Sequence, residues 1–309
     1  SIGGGNYRQN NFTVDGSDFN NQFGIGSNLP AGGSPISIDA IEEVSVNVTP
    51  YDVRMSGFVG SAINAVTRSG RNDFFGNAFF GFRNESNQGN KVSGNNIVLQ
   101  PLDETQFALS LGGPIIKNKL FFFANIDRTS QVRPGQNRLA ASPSAPFGSN
   151  PNIARPTMTE LDNIRNYLMS TYNYDPGIYQ GYANESYNNK ILARLDWNIN
   201  KDHRFNIRYN QVESATPSFI STSTSGTGFN FPNNGGRNNP GHLHFSNSNY
   251  TQEANQYSLA AELNSSFGSK LSNTLRGSFT HQNDPRGSES DVFPLVDIMK
   301  DGTAYTKKE

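Results

Sequence analysis

The residue types that carry out chemistry are sparse in this chain and poorly placed for it. In "GHLHF", His242 and His244 fall on one face of an extended segment, a two-ligand arrangement, but Gly, Asn and Pro surround them and no carboxylate stands beside them. A metal centre is not expected there. His203 opens one strand-like run and His281 closes another, and a solvated strand end is the ordinary role of both. The glycine-rich stretches "SIGGG", "GIGSN" and "NNGGRNN" lack the preceding strand, following helix and Lys-Ser/Thr pair of a phosphate cradle. No Ser/His/Asp frame or carboxylate pair can be assembled. Cysteine is absent, which removes thiolate nucleophiles, thiolate metal sites and disulfides together. The chain is therefore not expected to be an enzyme or to hold a cofactor. Its candidate ligand-facing segment is Asp18, Phe19, Asn20, Asn21, Gln22 and Phe23, where polar side chains and two aromatics suit hydrogen bonding and stacking to a peptide or sugar. The plainer reading of those six residues is an ordinary loop.

Composition narrows the elements that must position such a segment. Hydrophobic residues are 34% and mean hydropathy is -0.61, yet charged residues are only 17%, so the polarity comes from uncharged Asn, Ser, Thr, Gln and Gly. With 30 Gly, 16 Pro, 22 Phe and 12 Tyr, the mixture suits strands joined by polar loops. A net charge of -1 provides no basic field to hold nucleic acid. No apolar run reaches the ~20 residues of a transmembrane helix, a limit that says nothing about membrane strands.

Along the chain, residues 1–70 read as a small α+β module, with a strand at Phe12 to Val14, a helical turn at Ile38 to Glu42 leading into a strand, and a glycine-punctuated strand over 57–69. From Asp73 onward the pattern has period 2. Ile191, Ala193, Leu195 and Trp197 oppose Lys190, Arg194, Asp196 and Asn198; Phe205, Ile207 and Tyr209 oppose Arg204, Asn206 and Arg208; Leu259, Ala261 and Leu263 oppose Ser258, Glu262 and Asn264. Phe75 and Phe79 break the rule by sitting on the polar side. Connections alternate between short ("GGPIIKNK", "NKDH", "GSK") and long (85–103, 130–187, 214–254). Periodicity alone leaves a soluble sandwich and a membrane barrel open. Placing every long loop at one end favours the barrel. In it Arg83, Asp127, Arg194, Asp196, Arg204, Arg208, Glu262 and Arg276 face the lumen. Gly112, Gly113 and Pro114 are expected to turn the chain ahead of the aromatic run Phe121 to Phe123. Within the second long loop "TMTELDNIRNYLMSTY" predicts an amphipathic helix, with Leu161, Ile164 and Leu168 on one face and Thr157 as N-cap.

"NNFTVDGSDFNNQFG", "PISIDAIEEVSVNVTPYDVRMSGFVGSAINAVTRSGRNDFFGNAFF" and "LGGPIIKNKLFFF" resemble the plug-to-barrel region of TonB-dependent outer-membrane receptors, closest to the Oar-like subgroup of Bacteroidota and Myxococcota. The resemblance implies a mainly β fold: a fragment of a transmembrane β-barrel, 22-stranded in this family, with an α+β plug domain. Residues 1–70 would then be the C-terminal part of the plug and 71–309 the first seven or so strands of the barrel. It further implies a location in the bacterial cell outer membrane, energy supplied by the TonB-ExbB-ExbD complex, and an extracellular substrate such as a peptide, protein or glycan. The signal peptide and Ton box would lie outside this sequence. Val48, Thr49 and Pro50 stand where many siderophore receptors have Arg-Gly-Pro, so siderophore uptake is not implied. A non-transporting adhesin or receptor subunit of the same architecture is the second expectation, and a soluble secreted β-sandwich the third.

Overall fold

The computed structural model describes residues 10–20, 35–48, 61–89, 91–92, 95–96, 102–136, 138–218, 242–288, 290–294, 296 and 298. Two sheets dominate them. The smaller contains β1 (Asn11–Val14), β2 (Ser17–Asp18), β3 (Ile41–Val48) and β4 (Ser61–Thr67) in the order β2-β1-β4-β3. β1 and β2 form a hairpin around Asp15 and Gly16, whose φ values of 46 and 76° are those a two-residue Asp-Gly turn needs. A 3-10 turn at Ile38–Ala40 leads into β3.

The larger sheet is an antiparallel meander. Its long strands are β5 (Phe75–Asn84), then, after the two-residue pair β6 (Lys91–Val92) and β7 (Asn95–Asn96), β8 (Asp103–Ile116) and β9 (Leu120–Pro134). The long excursion after β9 carries β10 (Leu139–Ala141), β11 (Ile153–Thr157) and helix α1 (Met158–Tyr172). β12 (Ala183–Asn198), β13 (His203–Ser218), β14 (Tyr250–Phe267) and β15 (Leu271–Asn283) complete the run, and short β16 (Arg286–Gly287) pairs back onto β14.

Register makes the two faces of this wall chemically distinct. One cross-strand row reads Gly76, Leu111, Ala124, Ala193, Tyr209, Leu259, Phe279. The adjacent row, on the other face, reads Phe75, Gly112, Phe123, Arg194, Arg208, Ala260, Ser278. The first row is exposed and apolar: Leu259 is 46% and Phe279 69% accessible. An apolar face this continuous is stable only against lipid or another apolar surface.

The strands outrun the alternation that predicts them. Residues 130–134 and 183–187 pair with each other, as do 214–218 with 250–254, so the expected loops 130–187 and 214–254 are both shorter than the sequence suggests. Ladder hydrogen bonds need no apolar side chain, and Gln131, Ser186 and Gln252 extend the wall with polar ones. The turn after β8 is also displaced: it lies at 117–119 with Asn118 at φ 62°, while Gly112 to Pro114 are in the strand. The glycines serve the neighbouring strand. A Cβ on Gly112 would stand 2.5 Å from the Phe75 ring, and one on Gly113 would collide with Phe74.

Helix α1 starts where expected. The Thr157 hydroxyl accepts from the Glu160 N–H at 3.2 Å, and the Glu160 carboxylate accepts from the Thr157 N–H at 3.0 Å. Asn173 ends it in the left-handed conformation. Leu161 packs with Ala140 and Tyr179 into a small core that also takes Leu243 and Phe245, tying the two long connections together.

Candidate functional site

The site arises where the small sheet meets the polar face of the wall. Apolar contact comes first. Val14, Phe19, Ile36 and Ala40 bury against Phe123 and Leu192 from the wall, with Phe12, Ile41 and Phe75 around them. Phe75 stacks on Phe123 at 6.1 Å, which accounts for an aromatic on the polar side of β5. Each such Phe or Leu, once fully buried, contributes about 1.5–3 kcal/mol to docking.

A charged cluster lies beside that seat. Asp15, held at the tip of the β1–β2 turn, accepts from the Thr67 N–H at 2.8 Å and the Thr67 hydroxyl at 2.6 Å. Arg208 Nη1 donates to the same carboxylate and, at 2.8 Å, to the Val14 carbonyl. Arg194 Nη1 donates to the Thr67 carbonyl at 3.0 Å and hydroxyl at 2.9 Å, and lies 3.7 Å from Asp15. Its other edge is held by Asp196 at 2.8 Å. Arg208 is 2% exposed, and its guanidinium sits 6.0 Å from the centre of the Phe19 ring. Two like charges directly opposite each other in a ladder repel, and a buried cation without a partner is costly. One carboxylate from the small sheet gives both cations a counter-ion, while Arg208 Nε and Nη2 have no hydrogen-bond partner among the described residues.

Next to the cluster is a cleft of about 610 Å³ between the sheets, lined by Thr13, Asp18, Asn47 and Asn64 on one side and Asn206, Glu262 and Arg276 on the other. Arg276 is paired to Glu262 at 2.8 Å and lies so close to Gly16 that a Cβ there would stand 2.5 Å from Nη1. With carboxylates, amides and guanidiniums already engaged with one another, the cleft suits a reversible polar interface.

The candidate ligand-facing segment divides. Asp18 lines the cleft and accepts from the Asn20 N–H at 2.8 Å, and Asn20 in turn accepts from the Phe12 N–H at 2.9 Å, folding the loop back onto β1. Phe19 is a correction: it is fully buried in the docking core and offers no face to a ligand. Asn21, Gln22 and Phe23 lie outside the described residues. His244 is half-buried in the loop cap between Gln136 and Tyr182, each 3.4 Å away, and desolvation holds its pKa below the usual histidine value. Sequence reasoning placed Arg194 and Arg208 on the lumenal face but missed Asp15 and Thr67; the Asp-Gly pair at 15–16 was the available signal for the first.

Comparison with known proteins fits this architecture. Residues 66–302 match the family described as outer membrane beta barrel domain. The TonB-dependent transporter Oar of Myxococcus xanthus is 30% identical over 226 residues, which cover 70% of this chain and 19% of the relative. The solved outer membrane transporter YddB from Escherichia coli superposes with a TM-score of 0.53 at 11% identity, covering 90% of this chain and 32% of that one, a likeness of fold. The chain thus spans about a fifth of its curated relative and about a third of the solved transporter. An antiparallel wall with an exposed apolar face, a polar inner face and a family match over most of its length leads to one assignment: this chain belongs to the outer-membrane β-barrel domain family and is a protein of the bacterial outer membrane.

Proposed function

We propose that the chain is the gate and the first part of the wall of a TonB-dependent transporter that moves a bulky substrate across the outer membrane. Residues 1–70 are the C-terminal part of the plug, and 71–309 supply the opening strands of a barrel whose long connections face outward. The observation that supports this most is the way the small sheet is held. It is separately hydrogen-bonded, and it is seated on the wall by a modest apolar core and by Asp15 between Arg194 and Arg208. Such a unit can be released by a pull on the small sheet without unravelling the wall. The pull comes from the TonB-ExbB-ExbD complex in this reading, which the similarity to a TonB-dependent transporter supports.

The test uses cells expressing the full-length protein. Uptake of peptides, glycans and metal chelates is measured with the gene intact, with the gene deleted, and with TonB deleted. The transporter reading expects one substrate class to be lost in both deletions. Uptake unchanged in both, with surface adhesion lost on deleting the gene, establishes the adhesin reading instead.

A further inference from the structure

The outer connections carry an aromatic array that no role so far has used. Tyr174 and Phe293 stack at 4.0 Å with planes 8° apart; Tyr172 meets Phe293 edge-on at 5.8 Å, and Tyr167 meets Tyr172 edge-on at 5.9 Å. Tyr167 is 57% exposed and Tyr172 56%. The array is braced from behind: Leu161 anchors α1 in the loop core, and the Tyr174 hydroxyl bonds Ser290 at 2.7 Å. Four rings from α1, its C-terminal extension and the segment after β16 are thereby held in fixed relation, with Tyr167 and Tyr172 exposed and the stacked Tyr174 and Phe293 half-buried.

We propose that Tyr167, Tyr172, Tyr174 and Phe293 form a stacking platform for an uncharged oligosaccharide. The inference rests on the transporter reading and names the substrate class its outer loops would meet first.

Charge selects the ligand. Arg165, the nearest cation on α1, is held by Asp175 through two parallel bonds of 3.2 and 3.1 Å, and Asp162 accepts the Tyr179 hydroxyl at 2.8 Å. The guanidinium is neutralised by Asp175 and the remaining charge, on Asp162, is negative, so these groups offer nothing to a carboxylate or phosphate. The exposed rings of Tyr167 and Tyr172 offer π faces beside their own phenol groups. A pyranose has the matching arrangement, C–H groups on its faces and hydroxyls around its rim. Lipid is too far away. On the outward face of the β9–β12 pair the continuous apolar run ends at Ile126 and Ile191, where Arg128 and Asn189 follow, and the ladder continues to Ala183 and Pro134. Eight residues at about 3.3 Å each, tilted, put the cap roughly 20 Å beyond the hydrocarbon.

The experiment takes the full-length protein in lipid nanodiscs and a panel of neutral hexasaccharides of α-glucose, β-glucose, mannose and xylose, read by saturation-transfer NMR and calorimetry. At least one is expected to bind, with affinity falling tenfold or more in Tyr167→Ala and in Tyr172→Ala and kept in Tyr167→Phe. Hydrogen exchange over 158–172 reports whether α1 stays folded in each variant; where it does not, Tyr167→Leu, which keeps the helix and an apolar contact, replaces it and must also lose binding. Failure of the whole panel to bind, or binding indifferent to these substitutions, overturns the proposal, as does displacement of the sugar by a charged peptide at the same rings. Binding needs no energy source, so its outcome is separate from the TonB-deletion experiment that tests transport.

Discussion

Arg194 and Arg208 face each other as direct partners in the β12–β13 ladder, and the carboxylate of Asp15 is shared between them. The arrangement predicts that Asp15→Asn, which changes charge and almost nothing else, does more damage than its size suggests. Removing one member of a buried ion pair costs about 3–5 kcal/mol because the remaining charge is stranded. Hydrogen exchange in β1 and β4 of the full-length protein should rise sharply while the wall keeps its protection. Arg208→Met, which leaves Asp15 with Arg194 and fills the same space, should be milder; equal protection in Asp15→Asn and wild type would remove the cluster from the docking account.

The outward face predicts a depth-dependent penalty. Leu259 lies mid-strand between Tyr209 and Phe279, whereas Leu271 adjoins the turn at 268–270. Leu259→Arg should cost about 2–4 kcal/mol in reversible folding of the full-length protein into lipid vesicles, and Leu271→Arg about 0–1 kcal/mol. Equal costs at the two positions would contradict the assignment of this face to lipid.

Gly112 makes room for a ring on the adjacent strand. Gly112→Ala should destabilise by about 1–3 kcal/mol, the usual cost of overpacking. Adding Phe75→Leu should recover part of that loss, because the two side chains compete for one space. Denaturant midpoints of the two single variants and the double variant measure the coupling, and strict additivity would mean the glycine has another reason to be there.

His244 gives the loop cap a pH dependence of known sign. Desolvation lowers its folded pKa below the ordinary 6.5, opposed by a weaker hydrogen-bond effect from Asn249 and reinforced by Arg138. The unfolded cap therefore binds the proton more readily, so the stabilisation is complete above about pH 6.5 and is lost as pH falls through the folded value. Exchange protection of residues 242–249 should weaken between neutral pH and pH 5, and His244→Gln should flatten that dependence.

Much of the wall was legible because lipid and lumen impose opposite chemistry on alternate residues: Ile191, Ala193 and Leu195 against Lys190, Arg194 and Asp196 need no knowledge of partners. Helix α1 was legible for a local reason, the Thr157–Glu160 reciprocal cap. What escaped depends on distant chain. Polar strand extensions such as 130–134 are specified by the strand opposite, not by their own pattern. The role of Gly112 is visible only once Phe75 is across from it, and Phe19, which reads as a loop aromatic, is claimed by Phe123 and Leu192 from strands far along the sequence.

Asp15 and Arg208 are 193 residues apart in the chain, and that separation fixes an order of events. In a chain that emerges from its amino end, the small sheet precedes every strand of the wall. Phe75 and Phe123 belong to β5 and β9, so the aromatic residues of the seat precede both arginines in the chain and are joined to the small sheet by shorter loops. The apolar seat governs where the small sheet first comes to rest; the ion pair, closing a longer loop than the Phe75 and Phe123 contacts do, sets how firmly it stays. Substitutions in the seat should therefore slow assembly, and substitutions at Asp15 should hasten release.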